Sequence, residues 1–407
     1  MSPQQRFVIV GASLAGAKAA ETLRTEGFDG EVVLIGEEAL RPYERPPLSK
    51  DYLRGEKSFD ETAAVHPADF YDANRIELRK GTRVTEVDPG RAEVVISPGE
   101  RLGYDRLLLS VGAEPRHLSV PGAELDGVHY LRTVGNSDAL RQAFSGSPQV
   151  VVIGAGWIGC EVAASARQLG ANVAMVELAS VPLEKVLGHE VGAIYRDLHA
   201  DHGVDMHFGV GVDALEGGKA VEGVRLTDGT VLPAQVVVAG IGVTPRTALA
   251  ERAGLALDNG VLVDEYLTTN AEGIYAAGDV ANAFHPRYRT RIRLEHWSAA
   301  LNQGPAAARN MLGQHKAYDR VPYFFSDQYD LGMEYRGWAP VFDRVVFRGD
   351  VANREFISFW VNQGRVVAAM NVNIWDAGDA IEALLNSGGT VDLDRLADPN
   401  VDLTELS

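Results

Sequence analysis

The stretch Arg6-Phe7-Val8-Ile9-Val10-Gly11-Ala12-Ser13-Leu14-Ala15-Gly16 decides the fold. A short β-branched run meets a glycine turn, and an alanine-rich segment of helical character follows over residues 15–23. A second apolar run, Val32-Val33-Leu34-Ile35, leads to Glu37. Strand, glycine turn, helix and strand in this order form the βαβ unit that seats a dinucleotide. Gly11 permits the tight turn, and Gly16 lets the helix pack close to the strand. Free N–H groups at the helix start, with the macrodipole, then favour a pyrophosphate. Glu37 stands where a carboxylate accepts ribose hydroxyls. The second glycine of G-x-G-x-x-G is replaced by Ser13, which is small enough to keep the approach to phosphate open. Taken alone, the stretch also reads as a glycine-punctuated turn without a ligand.

The same pattern recurs. Gln149-Val150-Val151-Val152-Ile153 runs into Gly154-Ala155-Gly156-Trp157-Ile158-Gly159-Cys160-Glu161, and Asn172-Val173-Ala174-Met175-Val176 ends at Glu177. All three glycines are present. A carboxylate at Glu177 repels a 2′-phosphate, so NAD rather than NADP is expected there. Arg167 precedes the second strand and is not counted as a 2′-phosphate ligand. Two such units in one chain suggest FAD in one and NAD(H) in the other.

Composition sets the limits. A chain of 407 residues accommodates two or three domains with sizeable cores. The net charge of −18 argues against non-specific nucleic-acid binding. The first ten residues hold one basic side chain and do not read as a signal peptide. No apolar run approaches the roughly 18 residues of a membrane span. A cytoplasmic enzyme without membrane contact is expected. The one cysteine, Cys160, excludes an internal disulfide, a dithiol relay and a cysteine-ligated cluster within the chain. A reactive thiol is one reading of Cys160, and a buried packing residue is the other. No metal site is expected.

Between the two units, Arg41-Pro42-Tyr43-Glu44-Arg45-Pro46-Pro47-Leu48-Ser49-Lys50 forms a rigid turn, with Ser49 and Lys50 in the first turn of a following helix. Lys50 is either a surface lysine or a cation held over a flavin. Tyr104-Asp105-Arg106-Leu107-Leu108-Leu109-Ser110-Val111-Gly112 and Ala234-Gln235-Val236-Val237-Val238-Ala239-Gly240 are each a buried strand ending in glycine, with proline beyond. Their likeness supports two copies of one domain type, the second inserted into the first. Asp279 ends another buried strand, where it serves as a hydroxyl ligand, an N-cap, or both. Arg287, Arg289, Arg291 and Arg293 alternate with other residues. On a strand this spacing puts all four on one face, as a charged edge or a docking patch. From Val321 the pattern turns β-rich and ends in a helix.

These residues resemble the ferredoxin reductases of bacterial oxygenase systems, within the pyridine nucleotide–disulfide oxidoreductase superfamily. The resemblance rests on the paired glycine motifs, Arg45-Pro46-Pro47-Leu48-Ser49-Lys50, Gly240-Ile241-Gly242-Val243-Thr244-Pro245, Ala277-Gly278-Asp279 and Phe325-Ser326-Asp327-Gln328-Tyr329. Relatives often carry Trp where Phe325 stands. The implied fold is α/β: two Rossmann-like nucleotide domains of glutathione reductase type plus a C-terminal α+β domain. The expected boundaries are 1–112 with 245–320 for FAD, 113–244 for NAD, and 321–407. The resemblance implies that Gly11, Ser13, Leu14, Ala15, Gly16 and Glu37 hold the FAD diphosphate and ribose. It places Arg45, Lys50, Val84, Arg132, Asp279 and Trp297 along the rest of FAD, with Lys50 near N5. It gives NAD to Gly154, Gly156, Trp157, Ile158, Gly159, Glu161, Glu177 and Gly242. Glu161 is expected to pair with Lys50, these two being the catalytic residues. The implied activity is NADH reduction of FAD and single-electron delivery to a [2Fe–2S] ferredoxin that serves a monooxygenase or dioxygenase. The four arginines are the expected ferredoxin landing site. A reductase of a small acceptor, of monodehydroascorbate type, and a redox sensor like apoptosis-inducing factor are the alternatives.

Overall fold

The computed structural model describes residues 5–406, and the chain divides into two compact units. One comprises the chain up to Pro46 together with Ser58–Glu114 and Val243–Arg320. The other comprises Pro47–Lys57, Pro115–Gly242 and the chain from Val321 onward.

The first unit is built on a parallel sheet in the order Ile274–Ala276, Arg106–Leu109, Arg6–Val10, Glu31–Ile35, Ile76–Arg79. Val8 lies between Val33 and Leu107 in this register. Val8, Ile9, Leu34, Leu107 and Leu108 are fully buried. Cover on both faces explains why these strands are continuously apolar rather than alternating. The helices Leu14–Thr25 and Trp297–Met311 supply Ala19, Ala20, Leu23, Ala307 and Ala308 to the same core. They approach closely, because a Cβ at Gly304 would strike the Ala15 backbone. Two small three-stranded sheets also belong to the unit, the meander Val84–Asp88, Glu93–Ile96, Glu100–Gly103 and the set Val261–Val263, Ala281–His285, Thr290–Ile292.

The second unit repeats the parallel arrangement: Asp205–Phe208, Asn172–Glu177, Gln149–Ile153, Val236–Ala239, Val128–His129. Residues beyond Val321 add an antiparallel sheet in the order Tyr323–Gln328, Leu331–Gly337, Arg365–Val372, Glu355–Asn362, Arg344–Asp350, followed by the helix Gly378–Ser387. This sheet shares a core with the nucleotide-type sheet. Phe324, Met333 and Trp360 join Cys160, Ala163 and Tyr195 in one cluster, and the Trp360 indole N–H donates to the Leu187 carbonyl at 3.0 Å.

Pro47–Lys57, expected in the first nucleotide domain, groups with the second unit. Leu53 enters the second core, and the Ser137 and Ser165 hydroxyls donate to the Leu48 and Ser49 carbonyls at 2.8 and 2.6 Å. The prolines begin a one-turn 3-10 helix, Pro46–Ser49. Lys50 then adopts φ −125°, outside the helical region, before the short helix Asp51–Arg54. It is therefore a junction residue and not part of a helical first turn. No helix among the described residues is long and apolar enough to cross a membrane.

Candidate functional site

The first glycine turn is shaped by backbone contact. Gly11 has φ +117°, and a Cβ there would strike the Ser110 carbonyl. A Cβ at Gly16 would strike the Gly11 carbonyl, so the helix sits directly against the turn. Ser13 occupies the N-cap position with extended backbone but makes no capping bond. Its hydroxyl donates instead to the Tyr43 carbonyl at 3.4 Å. Leu14 and Ala15 are buried behind the turn. Glu37 follows the next strand, and its carboxylate meets Arg246 at 2.7 Å and Arg83 at 3.6 Å. The Arg246 hydrogen bond holds the Glu37 carboxyl below its ordinary pKa.

The other first-unit positions have defined neighbours. Arg45 reaches Glu38 at 3.3 Å and the Tyr43 hydroxyl at 3.2 Å. Val84 is buried at the start of its strand. Asp279 lies in the one-turn 3-10 helix Gly278–Val280. The Trp297 indole donates to Glu44 at 2.9 Å, and burial pushes the Glu44 carboxyl up. Glu44 was not among the expected site residues; its place inside the quoted proline-rich motif was the available signal. Arg132 and Lys50, expected beside the same cofactor, belong to the second unit. Arg132 precedes the helix Val134–Ala143, where its backbone N–H donates to Asn136 at 3.2 Å.

The second turn repeats the first with one difference. Gly154 has φ +96°, and a Cβ at Gly159 would strike the Gly154 carbonyl. Gly156 caps the helix Trp157–Gln168 with φ −78°, and a Cβ there would meet nothing within 4 Å. The protein leaves open space at this position, in front of a helix N-terminus, which is what a diphosphate requires. Trp157 packs edge-on against Tyr195 and Phe324, while Ile158 is exposed. Glu177 accepts backbone N–H groups from Ala155 at 2.8 Å and Ala179 at 3.0 Å, so the turn and the next loop aim its carboxylate. Gly242 closes a further turn at φ +96°, its carbonyl accepting from the Arg116 N–H at 2.9 Å. Cys160 is fully buried, and burial pushes its thiol up, away from the reactive thiolate. Its role is packing.

One turn further along the same helix, Glu161 pairs with Lys50 at 3.0 Å, and the two side chains are only 5% and 9% exposed. An ion pair this deep needs further hydrogen bonds to compensate desolvation. Glu161 has them: the Ser326 hydroxyl donates to Oε1 at 2.7 Å and the Ser49 hydroxyl to Oε2 at 2.5 Å. The Lys50 ammonium also lies 5.3 Å from the centre of the Phe325 ring, a cation–π distance. Ser49 and Ser326 sit inside motifs quoted from the sequence, but nothing in their spacing announced a shared carboxylate.

The arginine alternation does not form one face. Only Thr290–Ile292 of that segment is strand, and Arg289 turns the chain at φ +52°. The Arg291 guanidinium donates to the Val263 and Asn282 carbonyls at 2.8 and 3.1 Å. Arg293 is largely buried and pairs with Glu295 at 2.5 Å. Period-two spacing requires a strand, and a hairpin turn occupies the first half of the run. Among the described residues, no cluster of His, Cys, Asp and Glu could hold a metal ion.

The family model described as pyridine nucleotide-disulphide oxidoreductase matches residues 5–304, and a reductase C-terminal model matches residues 323–407. The chain is 40% identical to the ferredoxin reductase subunit of 5,5'-dehydrodivanillate O-demethylase from Sphingobium sp., over 100% of this chain and 99% of that one. It is 39% identical to the ferredoxin–NAD(+) reductase component of the anthranilate 1,2-dioxygenase system of Burkholderia cepacia, over 98% of both. A ferredoxin reductase crystal structure from Rhodopseudomonas palustris superposes with a TM-score of 0.95 at 36% identity, over 98% of this chain and 99% of that one. The covalent putidaredoxin reductase–putidaredoxin complex superposes with a TM-score of 0.94 at 35% identity, over 98% of this chain and 97% of that one.

Proposed function

Because the chain belongs to the pyridine nucleotide-disulphide oxidoreductase family and carries its reductase C-terminal domain, we propose that it is an NADH-dependent ferredoxin reductase of an oxygenase system. The observation that carries this reading is the helix Trp157–Gln168. It presents an open glycine turn at Gly156 and, five residues on, a buried carboxylate that holds the Lys50 ammonium. An anion seat for a nucleotide and a fixed cation thus share one helix. Bound FAD would supply the chemistry, taking hydride from NADH and releasing electrons singly to a [2Fe–2S] ferredoxin.

The chain's own residues bind, orient and hold charge. Gly11, Ser13, Leu14, Ala15 and Gly16 line the FAD diphosphate seat, and Glu37 takes the adenosine ribose. Arg45, Val84, Arg132, Asp279 and Trp297 serve the rest of that cofactor. Gly154, Gly156, Trp157, Ile158 and Gly159 seat the NADH diphosphate, Gly242 lines the same cleft, and Glu177 takes the ribose. The two amide hydrogen bonds to Glu177 keep its carboxylate facing where a 2′-phosphate would be repelled. Lys50 supplies positive charge for the reduced flavin, and Glu161 fixes its position. We assign 1–112 with 245–320 to the FAD domain, apart from Pro47–Lys57, which packs with the second unit, 113–244 to the NAD domain and 321–407 to the C-terminal domain. The exposed Arg287 and Arg289 in the hairpin turn, with Arg291 beside them, are the basic landing site for an acidic ferredoxin. Arg293 contributes least, because Glu295 neutralises it. A cytoplasmic setting, supplying a monooxygenase or dioxygenase through the ferredoxin, follows from the same reading.

Stopped-flow mixing of the flavin-loaded protein with NADH tests this directly. The flavin's visible absorbance should bleach, and cytochrome c reduction should then depend on added [2Fe–2S] ferredoxin. A protein that takes up no flavin, or that reduces a small acceptor while ignoring every ferredoxin, overturns the reading.

A further inference from the structure

The buried pair does not end at Ser326. The Gln328 amide N–H donates to the Ser326 hydroxyl oxygen at 3.3 Å. His199 Nε2 lies 3.0 Å from Gln328 Oε1, and the Tyr329 hydroxyl lies 3.3 Å from His199 Nδ1. Ser326, Gln328 and His199 are at most 1% exposed. Ser326 and Gln328 share one face of the strand Tyr323–Gln328 by period-two spacing, and His199 comes from the helix His189–Asp201.

The carboxylate dictates the direction of every link. Ionised Glu161 can only accept, so Ser326 spends its one proton there. The Ser326 oxygen is then an acceptor, which takes the amide N–H of Gln328. That turns the amide oxygen toward His199, which must carry its proton on Nε2. Neutral His199 is left with a lone pair on Nδ1, and Tyr329 donates to it. Four hydrogen bonds from Tyr329 to Glu161 therefore point the same way. Burial pushes the His199 pKa down to about 4, in keeping with the neutral ring.

We propose that Ser326, Gln328 and His199 are positioning residues, a one-directional hydrogen-bond wire that keeps the Glu161 carboxylate aimed at Lys50. The wire does not conduct protons. A carboxamide in its middle would have to become an imidic acid to pass one on. Its work is orientation: it gives a buried carboxylate a directed donor that has nowhere else to turn. The other titratable groups acting on this region are known. Lys50, Asp327, Tyr195 and Cys160 act with Glu161; His202 and Tyr329 flank His199; Arg167 acts on Tyr329.

Two measurements test the wire, and only the second rests on the proposed function. In the full-length flavin-loaded protein labelled with ¹⁵N-histidine, the His199 nitrogens should report the neutral Nε2–H tautomer at about pH 6. A protonated ring, or the Nδ1–H tautomer, overturns the proposal whatever the enzyme does. In the second, the rate of flavin bleaching by NADH is followed against pH. Ser326→Ala removes one donor from Glu161, so the acid limb should move to higher pH. Ser326→Thr, which keeps the hydroxyl, should restore it. Superimposable profiles for wild type and Ser326→Ala overturn the wire. If the wild type shows no NADH-driven bleaching, the functional reading fails and the tautomer measurement alone decides.

Discussion

The two glycine turns share their backbone and differ in what stands two residues beyond the third glycine. After Gly16 the helix presents Lys18, a partly exposed side chain paired with Glu21 one turn along the same helix. After Gly159 it presents Glu161, buried, with its partner and donors drawn from Lys50, Ser49 and Ser326. The scaffold treats these positions alike, since both lie in the first turns of the helix that follows the glycine motif. What differs is the environment: water and a local partner in one case, a core and three distant donors in the other. Turn geometry is repeated in the two units, and a buried charge has been added to one of them.

Removing the charges should separate the two copies most strongly. Glu161→Ala leaves the Lys50 ammonium buried without its carboxylate, and such a loss costs about 3–5 kcal/mol. Lys18→Ala breaks a partly exposed pair within one helix and should cost less than about 1 kcal/mol. Urea midpoints of the full-length variants at neutral pH give both numbers. Equal losses would mean that Glu161 is not the committed partner of Lys50. The apolar replacement Lys50→Met with Glu161→Leu sharpens the comparison. It should regain much of the stability, because well-packed hydrophobes can replace a buried pair, while flavin reduction by NADH stays slow.

Much of this contrast is legible in the amino-acid sequence. The glycine turns were legible because their requirements are local: positive φ at Gly11 and Gly154, and backbone against backbone at Gly16 and Gly159. The carboxylates Glu37 and Glu177 were legible because each stands at or just beyond the end of the second strand of its βαβ unit. The Lys50–Glu161 pair was anticipated through family likeness and not through spacing. Its donors stayed hidden, since Ser49 and Ser326 lie 112 and 165 residues from Glu161 and converge only through packing. His199 gave no signal, being one apolar-face histidine among residues of a regular helix. The grouping of Pro47–Lys57 with the second unit depends on Leu53 and on two serine–carbonyl bonds, again long-range facts. The arginine run misled because alternation carries meaning only on a strand, and a turn at Arg289 interrupts it.

A smaller effect should distinguish two glycines of the same motif. Alanine at Gly159 collides with the Gly154 carbonyl, and overpacking of this kind costs about 1–3 kcal/mol. Alanine at Gly156 meets no protein atom and needs no unusual backbone angle, so stability should fall by no more than about 1 kcal/mol, the cost of a poorer N-cap residue. The methyl would instead occupy the space proposed for the NADH diphosphate. Half-saturation by NADH should rise about tenfold, equivalent to about 1.4 kcal/mol. Thermal melts and NADH titrations of the two variants check this together. If Gly156→Ala binds NADH as well as the wild type, the second turn is not the nucleotide seat.

The smallest difference lies between the two carboxylates proposed to take the riboses. Glu177 is aimed by two backbone N–H groups, whereas Glu37 is held by the guanidinium of Arg246. The folded state depresses the Glu37 pKa below its unfolded value of about 4.3. A depressed carboxyl contributes stability that is fully present above the unfolded pKa and is lost as pH falls through the folded one. Arg246→Gln removes that contribution. The wild type should therefore exceed the variant at neutral pH, with the gap closing as pH drops below about 4. Both side chains are more than a third exposed, so solvent screening keeps the gap under about 1 kcal/mol. Salt at about 1 M should shrink it further, because the Debye length there is only about 3 Å. Urea midpoints for the two proteins at neutral and acid pH, each at low and high salt, measure the gap. A gap that widens on acidification, or ignores salt, would show that Arg246 acts by packing and not by holding the charge of Glu37.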